Sequence, residues 1–179
     1  MADTALIIID LQNDYFPGGT MELDGAEAAA QRAKRVLDKF REEQRPVIHV
    51  RHLSVRPGAT FFIPGTKGAE IHEAVKPAAG ETVVEKNFPN SFRNTSLKDI
   101  LEKNTIENLV VAGMMTHMCV DATVRHAADA GYKITLLGDA CATRQLKFGD
   151  EAVPARQVHA AFLAALNGLY AKVVKTDEL

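Results

Sequence analysis

Residues 5–14 read Ala-Leu-Ile-Ile-Ile-Asp-Leu-Gln-Asn-Asp, in which five apolar residues are followed directly by a carboxylate. An uninterrupted apolar run without polar alternation is typical of a central strand that is covered on both faces of a parallel sheet. Further runs rich in Ile and Val follow, and longer segments with helical periodicity separate them. This alternation of strands and helices predicts a parallel sheet with helical connections.

The same periodicity places the remaining elements along the chain. We expect strands at 5–9, 47–50, 81–85, 109–115, 133–137 and 171–174, and helices at 25–43, 95–103, 117–130 and 151–169. They predict an α/β three-layer sandwich with a six-stranded, mainly parallel, doubly wound sheet, in a single domain over residues 1–179. Residues 53–80 contain three Pro and four Gly and show no sustained period. We therefore expect a long loop there that serves a site.

The composition restricts the classes of partner. The chain of 179 residues has 21 Lys and Arg against 23 Asp and Glu, a net charge of -2, without a basic cluster. A dedicated nucleic-acid binder needs such clusters, so nucleic acid is not an expected partner. No apolar run approaches the roughly 18 residues of a membrane span, and the first residues lack a secretory signal pattern. We expect a cytoplasmic protein whose partner is a small-molecule substrate.

Reactive side chains follow the predicted strands. Asp10 follows the first strand, Lys86 follows the third, and Cys119 begins a helix beyond the fourth. Because the carboxyl ends of parallel strands meet at one edge, we expect these side chains to converge. The helix start and Lys86 are expected to lower the pKa of the Cys119 thiol, and Asp10 can move its proton in an acyl transfer. Main-chain N–H groups of the turn 113–119 are candidates for an oxyanion hole.

These segments resemble the isochorismatase-like cysteine hydrolases, a family that includes nicotinamidases and other amidohydrolases. The matching segments are Asp10-Leu-Gln-Asn-Asp14, Gly65-Thr-Lys-Gly-Ala-Glu70-Ile-His72, Lys86 with Asn90-Ser91-Phe92, Gly113-Met-Met-Thr-His-Met-Cys119-Val-Asp-Ala-Thr and Gly138-Asp-Ala, which span nearly the whole chain. The resemblance implies that Asp10 is the base, Lys86 its charge partner and Cys119 the nucleophile. It also implies a cis peptide bond at Met114–Met115 and oxyanion donors at the N–H groups of Met115 and Cys119. Finally, it implies a homo-oligomer, either a dimer or a tetramer.

The chain departs from the nicotinamidases of this family at the metal site. Those enzymes hold a divalent ion through an Asp and His residues after the second strand, where this chain has Arg51, Leu53 and Phe61. None of these three side chains supplies an oxygen or imidazole ligand. His49 and His52 lie nearby in sequence but lack a carboxylate at the family's spacing. We therefore predict neither a metal nor another cofactor.

The predicted loops at the same edge supply candidate pocket walls, because aromatic side chains on such loops suit a small planar substrate. The candidates are Gln12, Tyr15, Phe61, Phe62, Phe88, Phe92 and His117. The aromatic residues among them could instead form a satellite core, and His117 could be a helix cap. Asp14 is interpreted as a brace of its loop, and Cys141 as a packing residue.

The function that this pattern favours is hydrolysis of a C–N bond in a small non-peptide amide or carbamoyl compound, through a thioester on Cys119. Hydrolysis of an isochorismate-type vinyl ether is the nearest rival function, although family members with that activity often lack the cysteine. The same residues are also compatible with a non-catalytic binding protein on this fold and with a redox-sensing thiol.

Overall fold

A six-stranded parallel sheet forms the centre of the computed structural model, which describes residues 3–179. Six strands form this sheet, and β6 and β7 pair separately. The strands are β1 (Thr4–Ile9), β2 (Val47–His52), β3 (Thr82–Lys86), β4 (Asn108–Met114), β5 (Lys133–Ala142), β6 (Leu146–Phe148), β7 (Glu151–Val153) and β8 (Lys172–Val174). The helices are α1 (Ala26–Glu42), α2 (Leu97–Lys103), α3 (Asp121–Asp129) and α4 (Ala155–Leu166). The sheet order is β3-β2-β1-β4-β5-β8, and all five pairings are parallel. This architecture confirms the predicted α/β fold.

The central strand β1 is buried on both faces, as its uninterrupted apolar run predicts. Leu6 and Ile8 pack in the core that includes the apolar face of α1, whereas Ala5, Ile7 and Ile9 pack in a second core with residues of α2 and α3. Because alternate residues of a strand point to opposite faces, these two cores lie on opposite sides of the sheet. Helices therefore flank the sheet on both faces.

One predicted helix begins later than expected. The prediction placed a helix over 151–169, but Glu151–Val153 pairs with Leu146–Phe148 in an antiparallel hairpin, and α4 begins only at Ala155. Pro154 explains the correction, because a proline pushes the preceding residue into an extended conformation and is itself well tolerated at a helix start. The last predicted strand also starts late, at Lys172.

Two further differences affect the edge where the reactive residues were expected. β5 continues to Ala142 instead of ending at 137. Its pairing with β4 shifts register between Val111 and Gly113, which accommodates the extension. The helix predicted from 117 begins as a single π-helical turn, Thr116–Val120, before α3. Such turns are frequent at functional sites. Within residues 3–179, no helix combines the length and the apolarity needed to cross a bilayer.

Candidate active site

Asp10, Lys86 and Cys119 meet at the carboxyl edge of the sheet. Asp10 follows β1, Lys86 is the last residue of β3, and Cys119 lies in the π-helical turn after β4. Lys86 Nζ is 2.8 Å from Asp10 Oδ2, and a carboxylate oxygen of Asp10 lies within 4.8 Å of Cys119 Sγ. The three residues are 0%, 1% and 2% exposed, respectively. The structure thus assembles a buried acid, amine and thiol.

The main chain turns sharply at Asp10, where the strand ends. Its φ angle is 52°, in the left-handed region that costs a non-glycine residue about 1–2 kcal/mol. The Asp10 N–H still donates to the Val50 carbonyl at 3.0 Å, while its own carbonyl accepts from the Gln12 N–H at 2.9 Å. Bonds on both sides of the turn therefore hold a strained residue in place, which is a common property of functional sites.

The Lys86 ammonium has three acceptors within 3.1 Å. It donates to His52 Nδ1 at 3.0 Å and to the Phe88 carbonyl at 3.1 Å, in addition to its contact with Asp10. The 2.8 Å contact is a buried ion pair. At this distance the two charges interact strongly. Burial alone would lower the pKa of Lys86, but the charge of Asp10, to which a Cys119 thiolate would add, raises it overall.

His52 is held as a neutral ring. An ammonium group can only donate hydrogen bonds, so His52 Nδ1 must accept from Lys86 and the ring proton must lie on Nε2. Burial and the adjacent Lys86 charge lower the pKa of His52 to about 4. The imidazole is consequently uncharged at neutral pH.

The Cys119 thiol is protonated in the resting protein, contrary to the prediction of a lowered pKa. Burial and the Asp10 charge raise the pKa of Cys119, and together they outweigh the opposite effect of Lys86. Burial has this effect because a thiolate loses more solvation than a thiol. The nucleophile must therefore lose its proton during the reaction, and the Asp10 carboxylate is the candidate acceptor because one of its oxygens lies within 4.8 Å of Sγ.

The turn before Cys119 contains a candidate oxyanion hole. The peptide bond between Met114 and Met115 is cis. The Met115 carbonyl accepts from the N–H groups of Met118 and Val120, at 3.0 and 3.2 Å. Within the described residues, no hydrogen bond uses the Met115 N–H itself. That group is therefore available to stabilise a developing negative charge.

Two buried polar side chains brace the loops around the site. Gln12, predicted as a pocket residue, accepts from the His52 N–H at 2.7 Å and donates to the carbonyls of His52 and Ala69 at 2.8 and 2.9 Å. Its amide is therefore engaged by the main chain and fixes His52. Asp14 accepts from the Phe62 N–H at 2.6 Å and from the Thr20 N–H at 3.3 Å, and so braces its loop.

Three of the predicted pocket aromatics form one cluster beside His52. The Tyr15 ring centroid lies 4.6 Å from that of Phe62 and 6.1 Å from that of Phe61, while the His52 and Phe62 rings are 5.9 Å apart. Burial raises the pKa of Tyr15 well above its ordinary value, and the charge of Asp10 adds to the effect. The cluster therefore lies in the electrostatic field of the reactive groups.

The other predicted pocket residues make separate contacts. The Arg93 guanidinium lies 3.7 Å from the Phe88 ring centroid. Phe92 stacks on His126 at 4.6 Å and is itself only 8% exposed. His117 bonds through Nδ1 to the Thr143 hydroxyl, and its ring meets Phe162 edge-on at 6.0 Å. For Phe88 and Phe92 these contacts agree with the alternative of a satellite core that the sequence left open.

The donor set does not suit a divalent cation. Arg51 forms an ion pair with Glu85, and Leu53 and Phe61 carry no ligand atoms. Asp10, His52 and Cys119 each place one possible ligand atom within 4.8 Å of the others. However, the Lys86 ammonium lies between 2.8 and 3.0 Å from the first two of these groups, and its fixed positive charge opposes a cation there.

Sequence reasoning did not assign His52 to the site, although a usable signal was present. His52 is the last residue of β2, the strand between β1 and β3, and it pairs in register with Lys86. The rule that located Asp10 and Lys86, namely that polar groups at strand ends converge, applies equally to the second strand.

Comparison with known proteins adds an independent line of evidence. Residues 4–178 match the Isochorismatase domain family model. An uncharacterized isochorismatase family protein of Bacillus subtilis is 52% identical over 174 residues, which cover 97% of each chain. A crystal structure from Oleispira antarctica, assigned to the isochorismatase hydrolases, is 49% identical and superposes with a TM-score of 0.95, covering 99% of this chain and 95% of the other. A cysteine hydrolase from Pseudomonas syringae is 26% identical with a TM-score of 0.92, covering 99% and 90%.

More distant relatives carry the names of amide hydrolases. The nicotinamidase of Escherichia coli is 28% identical, with 79% of this chain and 84% of that protein aligned. The maleamate amidohydrolase of Pseudomonas putida is 29% identical, with 78% and 72% aligned.

Proposed function

This chain belongs to the isochorismatase family of hydrolases, and on that basis we propose that it cleaves a C–N bond in a small non-peptide amide or carbamoyl compound. The observation that carries the proposal is the buried contact of Asp10, Lys86 and Cys119 at one sheet edge. A thiol beside a paired carboxylate is the arrangement that acyl transfer through a covalent intermediate requires. The names of the amide-hydrolysing relatives agree with this reaction class.

In the first half-reaction, Asp10 removes the Cys119 proton while Sγ attacks the substrate carbonyl carbon. The carbonyl π electrons move to oxygen, and the N–H groups of Met115 and Cys119 stabilise the resulting oxyanion. The tetrahedral intermediate collapses as the C–N bond breaks. Asp10 returns its proton to the departing nitrogen, which leaves a thioester on Cys119.

In the second half-reaction, water attacks the thioester carbonyl and gives a proton to Asp10. The C–S bond then breaks, the product acid leaves, and the Cys119 thiolate recovers the proton from Asp10. Lys86 stays charged throughout and stabilises the Asp10 carboxylate each time that Asp10 has given up its proton. Because the resting thiol has a raised pKa, attack and proton transfer must be closely coupled.

A screen for ammonia release over small amides, ureas and carbamoyl compounds tests this function. Cys119→Ala is the blank, and Cys141→Ala is the matched control because it removes the other buried cysteine. We expect the wild type and Cys141→Ala to turn over the best substrate and to show an acyl adduct by intact mass, whereas Cys119→Ala shows neither. Full activity of Cys119→Ala would refute the proposal. Cleavage of isochorismate by that variant, without an adduct, would favour vinyl ether hydrolysis instead.

A further inference from the structure

The Lys86 ammonium divides its three N–H groups among its neighbours. Two of them donate to His52 Nδ1 and to the Phe88 carbonyl, at 3.0 and 3.1 Å. The third is left for Asp10 Oδ2, which is the nearest acceptor at 2.8 Å. His52 therefore accepts an N–H that would otherwise be free to turn toward the reacting groups.

The surroundings fix the His52 main chain and pack against its ring. Gln12 bonds to both the N–H and the carbonyl of His52, and the register pairs His52 with Lys86 across neighbouring strands. The Phe62 ring packs at 5.9 Å. A ring restrained from several sides holds Nδ1 at a defined position relative to Lys86.

We propose that His52 is a positioning residue for the reaction: by accepting one Lys86 N–H at Nδ1, it leaves the ammonium a single N–H for the Asp10 carboxylate. This inference rests on the proposed function, in which Asp10 must take a proton from Cys119. Each further hydrogen bond that the carboxylate accepts from the ammonium favours its ionised form and so makes it a weaker base. Without the His52 acceptor, the freed N–H turns toward Asp10, the nearest remaining acceptor.

The charges around His52 determine the pH at which its hydrogen bond with Lys86 is lost. The groups that act on the ring are Lys86, Asp10 and Arg56, and Cys119 lies within the same cluster. Two of the four are cations, and a protonated ring would stand 3.0 Å from the Lys86 ammonium with no acceptor to offer. Acidification should therefore release Lys86 from His52 and lower the rate of the chemical step.

Two nearly isosteric substitutions separate the acceptor from the bulk of the side chain. His52→Asn keeps an acceptor oxygen near the Nδ1 position, whereas His52→Leu has a similar volume and none. With the best amide substrate, we expect His52→Leu to lose roughly 10- to 100-fold in kcat, a loss of the size found when groups that orient metal ligands are removed, with KM little changed. His52→Asn should stay within a few-fold of the wild type, and its kcat should lack the acid limb that protonation of His52 produces. Equal losses of kcat in both variants, at matched thermal stability, would overturn the proposal.

A second measurement does not depend on any substrate. Long-range ¹H–¹⁵N NMR of histidine-labelled protein distinguishes the two neutral tautomers, and loss of one signal set in His52→Asn assigns the residue. We expect His52 to show a protonated Nε2 and an unprotonated Nδ1 at pH 7, and to titrate well below the ordinary histidine range. A protonated Nδ1, or titration near pH 6.5, would disprove the positioning role.

The two measurements fail in distinguishable ways. If no amide is hydrolysed by the wild type, the proposed function fails, while the NMR result still decides the state of His52. If amides are hydrolysed and His52→Leu is as fast as His52→Asn, the function stands and the role of His52 is wrong. If His52→Leu does not fold, His52→Gln replaces it, because its amide is displaced from the Nδ1 position by one methylene group.

Discussion

The buried pair of Asp10 and Lys86 allows a sharp test by substitution of one partner and then both. The charged atoms are 2.8 Å apart and both side chains are 0% exposed. At an effective dielectric constant of about 20, two unit charges at this distance attract by about 6 kcal/mol. The cost of removing both ions from water offsets much of this attraction, so the pair adds little net stability. The loss of one partner, however, leaves the other buried without compensation.

We therefore expect Lys86→Met to lower the free energy of unfolding by about 3–5 kcal/mol, which corresponds to a fall in Tm of roughly 6–20 °C for a chain of this size. The double variant Asp10→Asn with Lys86→Met removes both charges and should be destabilised by less than the sum of the two single changes. All three variants should lose activity, because each lacks a group that the proton transfers require.

The assay is urea unfolding at pH 7, followed by far-UV circular dichroism because the chain contains no Trp. Lys34→Met is the control, since Lys34 forms an i,i+4 pair with Asp38 in which both side chains are more than 40% exposed, and it should change stability little. A double variant whose loss equals the sum within about 0.5 kcal/mol would mean that the two charges do not interact, and the reasoning would fail. A loss below about 1 kcal/mol in Lys86→Met would contradict it equally.

Three other substitutions or conditions test separate parts of the geometry. Gly113→Ala should lower the free energy of unfolding by more than about 3 kcal/mol, because its Cβ would collide with the β1 main chain. Gly131→Ala, also at positive φ but in open space, should lower it by only about 1–2 kcal/mol. Equal thermal stability of the two variants would contradict this. Asp14→Asn should lower the free energy of unfolding by roughly 1–3 kcal/mol and speed hydrogen exchange at the Phe62 amide. Unchanged exchange at that amide would show that Asp14 does not hold the loop. Between pH 4 and 6.5, an unfolded chain still holds a proton on His52 that the folded ring has released. The contribution of His52 to the free energy of unfolding should therefore rise with pH over this range, by at most about 3 kcal/mol. Urea unfolding across this range should show a smaller rise in His52→Asn, and an identical rise in both proteins would argue against the lowered pKa.

The parallel sheet and the meeting of Asp10, Lys86 and Cys119 could be anticipated from the sequence for one physical reason. Apolar runs identify strands that are buried on both faces, and the strand ends of a parallel sheet share one edge. Polar residues that follow such runs are therefore brought together by topology alone, before any side-chain contact is known. His52 obeys the same rule and was accessible to it.

The features that escaped prediction depend on distances that no local pattern encodes. The sign of the Cys119 pKa shift depends on how much burial outweighs the Lys86 charge, and burial is a property of the folded chain. Gln12 was predicted to face a substrate because it follows a site strand, yet main-chain groups 40 and 57 residues away occupy its amide. The hairpin before α4 was missed because its three-residue strands lack the length that separates a strand from the start of a helix.

The covered and protonated state of Cys119 has a consequence outside the catalytic cycle. The thiolate of an accessible cysteine attacks peroxides and electrophilic metabolites, and here the resting sulfur is neither ionised nor open to bulk solvent. Peroxide and iodoacetamide should therefore modify Cys119 slowly in the resting protein.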